Sequence, residues 1–208
     1  MNWELYSALT SNGDFLKLHS HVDAKQILTD IEPYKDYWTH YNPNTPEYKR
    51  LALPLTSLDG KINQGEGSLQ NSGNYEYDYA TPTEIYKNSL ALIDLLMPWR
   101  EHLGRTQIIK IQPGGYFPAH IDEGWRMPPT CFRLVVPLKN VNPPNFWWMS
   151  GDDQNYKPLQ WDIGTLYFLN TLKKHSLFNT SDIDSYWLVM NIKLCNESVI
   201  EMKRQVYT

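Results

Sequence analysis

Apolar and polar positions along this 208-residue chain change character near its middle. In the first half the pattern is discontinuous. Asp23-Ala24-Lys25-Gln26-Ile27-Leu28-Thr29-Asp30-Ile31 carries apolar residues at near-helical spacing and stops before Pro33, which predicts a short helix. From Tyr34 to Tyr79 Asn, Pro, Gly, Ser and Tyr dominate, interrupted by Arg50-Leu51-Ala52-Leu53-Pro54-Leu55, which reads as a strand. A long irregular segment is either a lid over a site or a surface loop, and both readings stay open for Gly65 to Ser68 and Asn71 to Asn74. Thr81-Pro82-Thr83-Glu84 has capping-box spacing with proline at the first helical position, and Tyr86, Leu90, Ile93 and Met97 follow on one stripe. This predicts a helix packed on a sheet and ending near Pro98 to His102.

The second half alternates as strands do. Thr106 to Gln112 reads as a strand, Pro113-Gly114-Gly115 as a turn, and Tyr116 to Asp122 as a second strand. Further strands are expected at Cys131 to Leu138, Asn145 to Met149, Thr165 to Leu169, around His175 to Asn179, and at Tyr186 to Leu194. Short strands between Gly, Pro, Asn and Asp clusters predict a mainly β fold with flanking helices, closed as a sandwich or barrel, with cupin-like jelly rolls among the solutions. The length suits a single domain over 1–208, with helices and an irregular or lid region in 1–104 packed on a core spanning 105–195.

Composition narrows the function. The net charge is −4 with both signs scattered, so there is no basic stripe to follow a phosphate backbone, and nucleic acid is excluded as an expected partner. Eight Trp and fourteen Tyr are enough to line a pocket edge, although core packing accounts for most of them. The two cysteines, Cys131 and Cys195, lie far apart with no CxxC, as free thiols in a reducing compartment do. The first residues lack a basic stretch followed by an apolar run, and no apolar run is long enough to span a bilayer. A soluble, cytoplasmic protein without membrane partners is expected.

The candidate chemistry centres on Gly114-Gly115-Tyr116-Phe117-Pro118-Ala119-His120-Ile121-Asp122. Residues two apart on a strand share a face, so His120 and Asp122 aim an imidazole and a carboxylate at one spot. His175, arriving from another strand, would complete one triangular face of a metal and leave its other positions open, the arrangement used by non-haem iron(II) oxygenases. His19, His21, His40 and His102 fall in stretches that read as loop or helix end and are set aside as surface residues.

Ile111 to Asp122, Cys131-Phe132-Arg133-Leu134-Val135-Val136-Pro137-Leu138, Gly164-Thr165-Leu166-Tyr167-Phe168 and His175-Ser176-Leu177-Phe178-Asn179 occur in an order that resembles the aspartyl/asparaginyl β-hydroxylase-like branch of the iron(II)/2-oxoglutarate dioxygenases. The resemblance covers roughly Arg105 to Leu194 and not the N-terminal half. It implies a double-stranded β-helix, iron(II) held by His120, Asp122 and His175, 2-oxoglutarate as co-substrate, and molecular oxygen as reactant. The expected activity is hydroxylation of a C–H bond in a peptide or protein side chain or in a small molecule. Arg133 matches the family arginine on the strand after the H-x-D strand, and its guanidinium suits the co-substrate's far carboxylate. A second arginine that many members carry about ten residues beyond the distal histidine is replaced by Ser185, with Tyr186 next to it as a hydrogen-bond donor to the same carboxylate. Trp125 and Arg126, in the loop after Asp122, are candidate substrate contacts. Phe117, Phe132, Tyr167 and Phe168 are candidates for a dry wall, with alternate members facing elsewhere. Two rivals stand beside this reading: a cupin-like divalent-metal enzyme working without 2-oxoglutarate, and a non-catalytic peptide-binding module.

Overall fold

Three stretches of the second half, 131–139, 165–169 and 185–193, are apolar at most positions, and each is a strand buried on both faces. The computed structural model describes residues 2–62, 73–122, 129–142, 145–149 and 156–207; Trp125 and Arg126 lie outside the described residues. In the first half the elements are α1 (Asn2–Thr10), β1 (Phe15–His21), α2 (Ala24–Ile31), β2 (Thr39–His40), β3 (Arg50–Pro54), β4 (Thr56–Ser57), β5 (Thr81–Pro82), α3 (Glu84–Lys87) and α4 (Leu90–Leu96). The second half holds β6 (Leu103–Ile111), β7 (Tyr116–His120), β8 (Cys131–Lys139), β9 (Phe146–Met149), β10 (Tyr156–Pro158), β11 (Thr165–Leu169), β12 (His175–Phe178), β13 (Ser185–Lys193) and α5 (Asn196–Tyr207).

A seven-stranded sheet has the order β1-β11-β8-β13-β6-β3-β2, and a four-stranded sheet the order β10-β9-β12-β7. Every pairing among the described strands is antiparallel, and the two sheets face each other across a shared core as a double-stranded β-helix with helices on one side. The period of two along each long strand sorts its residues. Leu134, Val136 and Leu138 of β8, Leu188, Met190 and Ile192 of β13, and Leu166 and Phe168 of β11 face the helices, which contribute Ile27, Leu92, Leu96 and Met202. The alternate residues Ile109, Val135, Tyr167, Leu169, Trp187 and Val189 face the smaller sheet, from which Leu177 and Phe117 reach across. Burying one such Leu, Ile or Phe contributes about 1.5–3 kcal/mol, and a strand apolar on both faces collects this from two cores.

The helical segment after residue 80 differs from the sequence reading. Thr81–Pro82 is β5, paired with β4, and the Thr83 hydroxyl donates to the carbonyls of Pro54 and Leu55 instead of capping a helix. The α3 turn ends at Asn88, and Ser89, accepting from the Leu92 amide at 3.3 Å, starts α4 afresh. The restart shifts the helical phase, so the buried stripe is Leu92, Leu95 and Leu96, continued by Trp99, while Leu90 (76% exposed) and Met97 (48%) face out. His19 and His21 lie on β1 at the edge of the large sheet, not in a loop, and both are exposed. No described helix is long and apolar enough to cross a membrane.

Two glycines of the resembling motifs are fixed by close backbone approach. A Cβ on Gly164, whose φ is +83°, would lie 2.3 Å from the Val22 carbonyl oxygen, and a Cβ on Gly115 would lie 2.7 Å from that of Lys49. Gly164 thereby joins β11 to the end of β1, and Gly115 lets β7 turn tightly against the β3 side.

Candidate metal centre

The β6–β7 turn and β12 are clamped by one side chain. Asn179 Nδ2 donates to the Ile111 and Ile183 carbonyls at 2.8 Å each, while its backbone pairs with Gly114 and Gly115 at 2.9 Å. This fixes the register in which His175 of β12 stands directly opposite His120 of β7. Directly opposed residues of an antiparallel pair project to the same side, and the two imidazole centroids are 4.4 Å apart. Asp122 comes by a different route from the one its spacing implies. Strand β7 ends at His120, and Asp122 lies just past it, held by its backbone N–H to the Thr171 carbonyl at 2.9 Å. The outcome is still convergence: one donor atom from each of His120, Asp122 and His175 lies within 4.8 Å of the others.

Both histidines present the nitrogen a metal needs. His120 Nδ1 meets the Pro118 carbonyl at 2.7 Å and His175 Nδ1 meets the Lys173 carbonyl at 2.9 Å, in each case two residues back along the chain. A carbonyl only accepts, so each Nδ1 carries a proton and Nε2 is the nitrogen that faces Asp122, at 3.0 Å from Oδ1 for His120 and 4.0 Å from Oδ2 for His175. Burial pushes the His175 imidazole down to about 4 against the opposing pull of Asp122, which keeps it neutral. For Asp122, burial alone would raise the carboxyl, but the Arg133 guanidinium beside it holds it well below the usual carboxylate range. Its Oδ2 is buried and, apart from the charge contact with Arg133, has no hydrogen-bond partner. Two imidazole Nε2 atoms and a carboxylate converging on one point fit a divalent first-row ion such as iron(II).

Arg133 is no surface residue. Its Nη1 stands against Asp122 Oδ2, and its Nε and Nη2 both donate to Asn191 Oδ1 at 3.2 and 3.0 Å. It therefore sits at the metal end of a cavity of about 70 Å³ between the sheets. Farther in, the described lining is Ile109, Val135, Leu177, Trp187 and Val189, which are apolar. Ser185 is fully buried and its Oγ accepts from Trp187 Nε1 at 2.8 Å, so a tryptophan closes the place where the resembling family has its second arginine. Tyr186 cannot stand in for it, because alternation along β13 turns its side chain to the other face of the sheet. There it meets Trp38 edge-on and its hydroxyl donates to Asp184 at 3.4 Å. Of the four aromatic wall candidates, Phe117 lines the cavity, Tyr167 packs on Phe15 and Trp161 behind it, and Phe132 and Phe168 belong to the helix-side core. The cavity thus carries a guanidinium at its His120 and His175 end and, among the described lining residues, no cation deeper in.

On the outer side His120 and Asp122 open on a cleft of about 430 Å³, which the sequence did not reveal. Tyr41, Tyr48 and Arg50 form one wall, and the buried pair Arg105–Glu76, 2.6 Å apart, forms another. A charged residue opening the apolar run Arg50 to Leu55 was the available signal, since a strand-borne arginine needs a reason to be there.

No family model matches the chain, and no curated protein matches it in sequence. Solved structures do match its fold. A prolyl hydroxylase from Trichoplax adhaerens, in complex with a hypoxia inducible factor oxygen degradation domain peptide fragment, has a TM-score of 0.58 at 10% identity, covering 96% of this chain and 93% of its own. HygX from Streptomyces hygroscopicus, with nickel, 2-oxoglutarate and hygromycin B bound, has a TM-score of 0.55 at 13% identity, covering 88% and 84%. A 2OG-Fe(II) oxygenase family oxidoreductase from Burkholderia pseudomallei is matched over 52% of this chain, which spans 59% of that protein, with a TM-score of 0.41 at 15% identity.

Proposed function

We propose that this protein is an iron(II)-dependent oxygenase of the 2-oxoglutarate class, of the aspartyl/asparaginyl β-hydroxylase-like kind, hydroxylating a C–H bond of a peptide or protein side chain or of a small molecule. The observation that carries the reading is the convergence of His120 Nε2, His175 Nε2 and the Asp122 carboxylate, with both histidine tautomers fixed by backbone carbonyls. The fold likeness to proteins with those chemistries supports it. One of them holds a peptide and another hygromycin B, and substrates of either size remain in view.

Bound by these residues, iron(II) would supply oxygen activation coupled to oxidation of the 2-oxo acid. The chain itself does the rest. Arg133 keeps Asp122 ionised and offers its guanidinium to a carboxylate beside the metal. Lys173 and Pro118 orient the two imidazoles through their carbonyls. Phe117, Val189 and Leu177 exclude water from the inner side of the site, so that an oxidant formed there meets substrate and not solvent.

The test is anaerobic reconstitution with iron(II), addition of 2-oxoglutarate, and then air. A visible charge-transfer band on adding 2-oxoglutarate, followed by succinate formation in air, is expected. No band and no succinate would sink the reading, and tightly retained zinc in their place would point to a divalent-metal enzyme that works without a keto acid.

A further inference from the structure

Charges in the outer cleft cancel in pairs, with one exception. Arg105 is matched by Glu76 at 2.6 Å and Arg133 by Asp122. Arg50, at the start of β3, is 7% exposed, and no carboxylate among the described residues lies within ion-pair distance of it. Its Nε is buried with no hydrogen-bond partner, and Nη2 donates to Thr45 Oγ1 at 3.3 Å. A guanidinium offers five N–H donors in a planar fork, so most of this one is unused. Three ring faces hold it in place: its Cζ is 4.1 Å from the Phe117 centroid, 4.9 Å from Tyr48 and 5.1 Å from Tyr41. Phe117 in turn stacks on His120, with centroids 6.1 Å apart. Burial accordingly lowers the pKa of the group, and the weaker opposing pull of Tyr41, Tyr48, Tyr116 and Glu47 does not make up for it.

Aromatic faces orient a guanidinium and leave its edge free, and the edge is the part that binds a carboxylate in bidentate fashion. A buried charge without a partner is costly, and folds retain one where a ligand completes it. We propose that Arg50 is the anchor of a carboxylate that binds in the cleft of Tyr41, Tyr48, Arg50, Phe117, His120 and Asp122, beside the metal face. The carboxylate has two possible sources. One is the substrate, which would then be an acid such as an acidic side chain or a chain terminus. The other is the far end of the keto acid, which has no cation waiting in the described depth of the inner cavity. This deepens the oxygenase reading and rests on it for the meaning of the site, but binding at Arg50 is measurable whether or not the protein turns over.

The full chain, loaded with zinc(II) to keep it diamagnetic, is titrated with benzoate and with benzamide while the Arg50 Nε–Hε signal is followed by nitrogen-15 NMR. The same titrations use 2-oxoglutarate and pyruvate, which share a keto acid and differ in the far carboxylate. At least one carboxylate probe is expected to move the wild-type signal saturably and to bind at least about tenfold more weakly to Arg50→Met, the worth of a charge-assisted bidentate contact. Arg50→Lys keeps the charge without the fork and should fall between. Weakening of benzoate, with benzamide silent, assigns the carboxylate to the substrate. Weakening of 2-oxoglutarate with pyruvate unchanged assigns it to the keto acid. A wild-type signal that no carboxylate moves, or equal affinities in wild type and Arg50→Met, overturns the proposal and leaves Arg50 as a packing residue. Neither result depends on iron, so a protein that makes no succinate can still pass or fail.

Discussion

His175→Ala is expected to weaken iron(II) binding by more than about a hundredfold, since loss of a group that merely supports a ligand already costs 10–100-fold. The strand pairing of β12 with β7 and β9 does not involve the imidazole, so circular dichroism and cooperative unfolding should survive. Asp122→Ala is expected to abolish binding as well, with one difference: it leaves Arg133 buried without its counter-charge, and the metal-free protein should lose stability too. Asp122→Asn separates the two effects, because the amide keeps the shape and part of the hydrogen bonding while giving up the anionic donor. Iron(II) titrations under argon, with tryptophan fluorescence or a chelator in competition, measure each case. Wild-type affinity in His175→Ala would remove that residue from the ligand set.

Arg133→Met should destabilise the metal-free protein by about 3–5 kcal/mol, the usual cost of removing one partner of a buried pair. Asp122 would then stand desolvated without its counter-charge. Iron(II) should restore most of the loss, because the ion takes over the neutralisation of Asp122. Urea unfolding with and without iron(II), in the absence of oxygen, reads both numbers. Equal losses in the two states would mean that Arg133 acts through its packing on Asn191 and not through the carboxylate. The same variant should also weaken pyruvate and 2-oxoglutarate alike if Arg133 serves the carboxylate beside the metal. Weakening of 2-oxoglutarate alone would return Arg133 to the far-carboxylate role that the family resemblance implies.

Strands β8, β11 and β13 were legible because burial on both faces leaves little room for polar residues, and they begin and end within a few residues of their apolar runs, whereas β6 buries Arg105, Thr106 and Gln107 and was read only from Thr106 on. Edge elements were not legible. Strand β1 is half exposed and pairs on one side only, so Phe15-Leu16-Lys17-Leu18-His19-Ser20-His21 gives a faint alternation, and α1 and α5 bury few side chains each. The α3–α4 break turned on Ser89, whose capping role depends on a hydroxyl that also bonds to Asp30, a residue far away in the chain.

At the site, the three donors were readable as a spacing and a distant histidine, although Asp122 reaches its place through Thr171 and not as a strand residue. Tyr186 and Ser185 show the limit of position counting. Adjacent strand residues face opposite ways, so only one of the two can look into the cavity, and that one is sealed by Trp187. Arg50 was hidden for a different reason. Its meaning comes from Tyr41 and Tyr48 of the β2–β3 connection and Phe117 of β7, which converge on it, and from the lack of an ion-paired acid among the described residues.

The central claim, that His120, Asp122 and His175 hold one metal ion, is tested most directly by anomalous diffraction at the iron edge from crystals grown anaerobically with iron(II). The account predicts a single strong peak about 2.0–2.2 Å from His120 Nε2, His175 Nε2 and an Asp122 carboxylate oxygen, the range for divalent-metal bonds to these donors. A peak at another set of residues, or none at full loading, would contradict it.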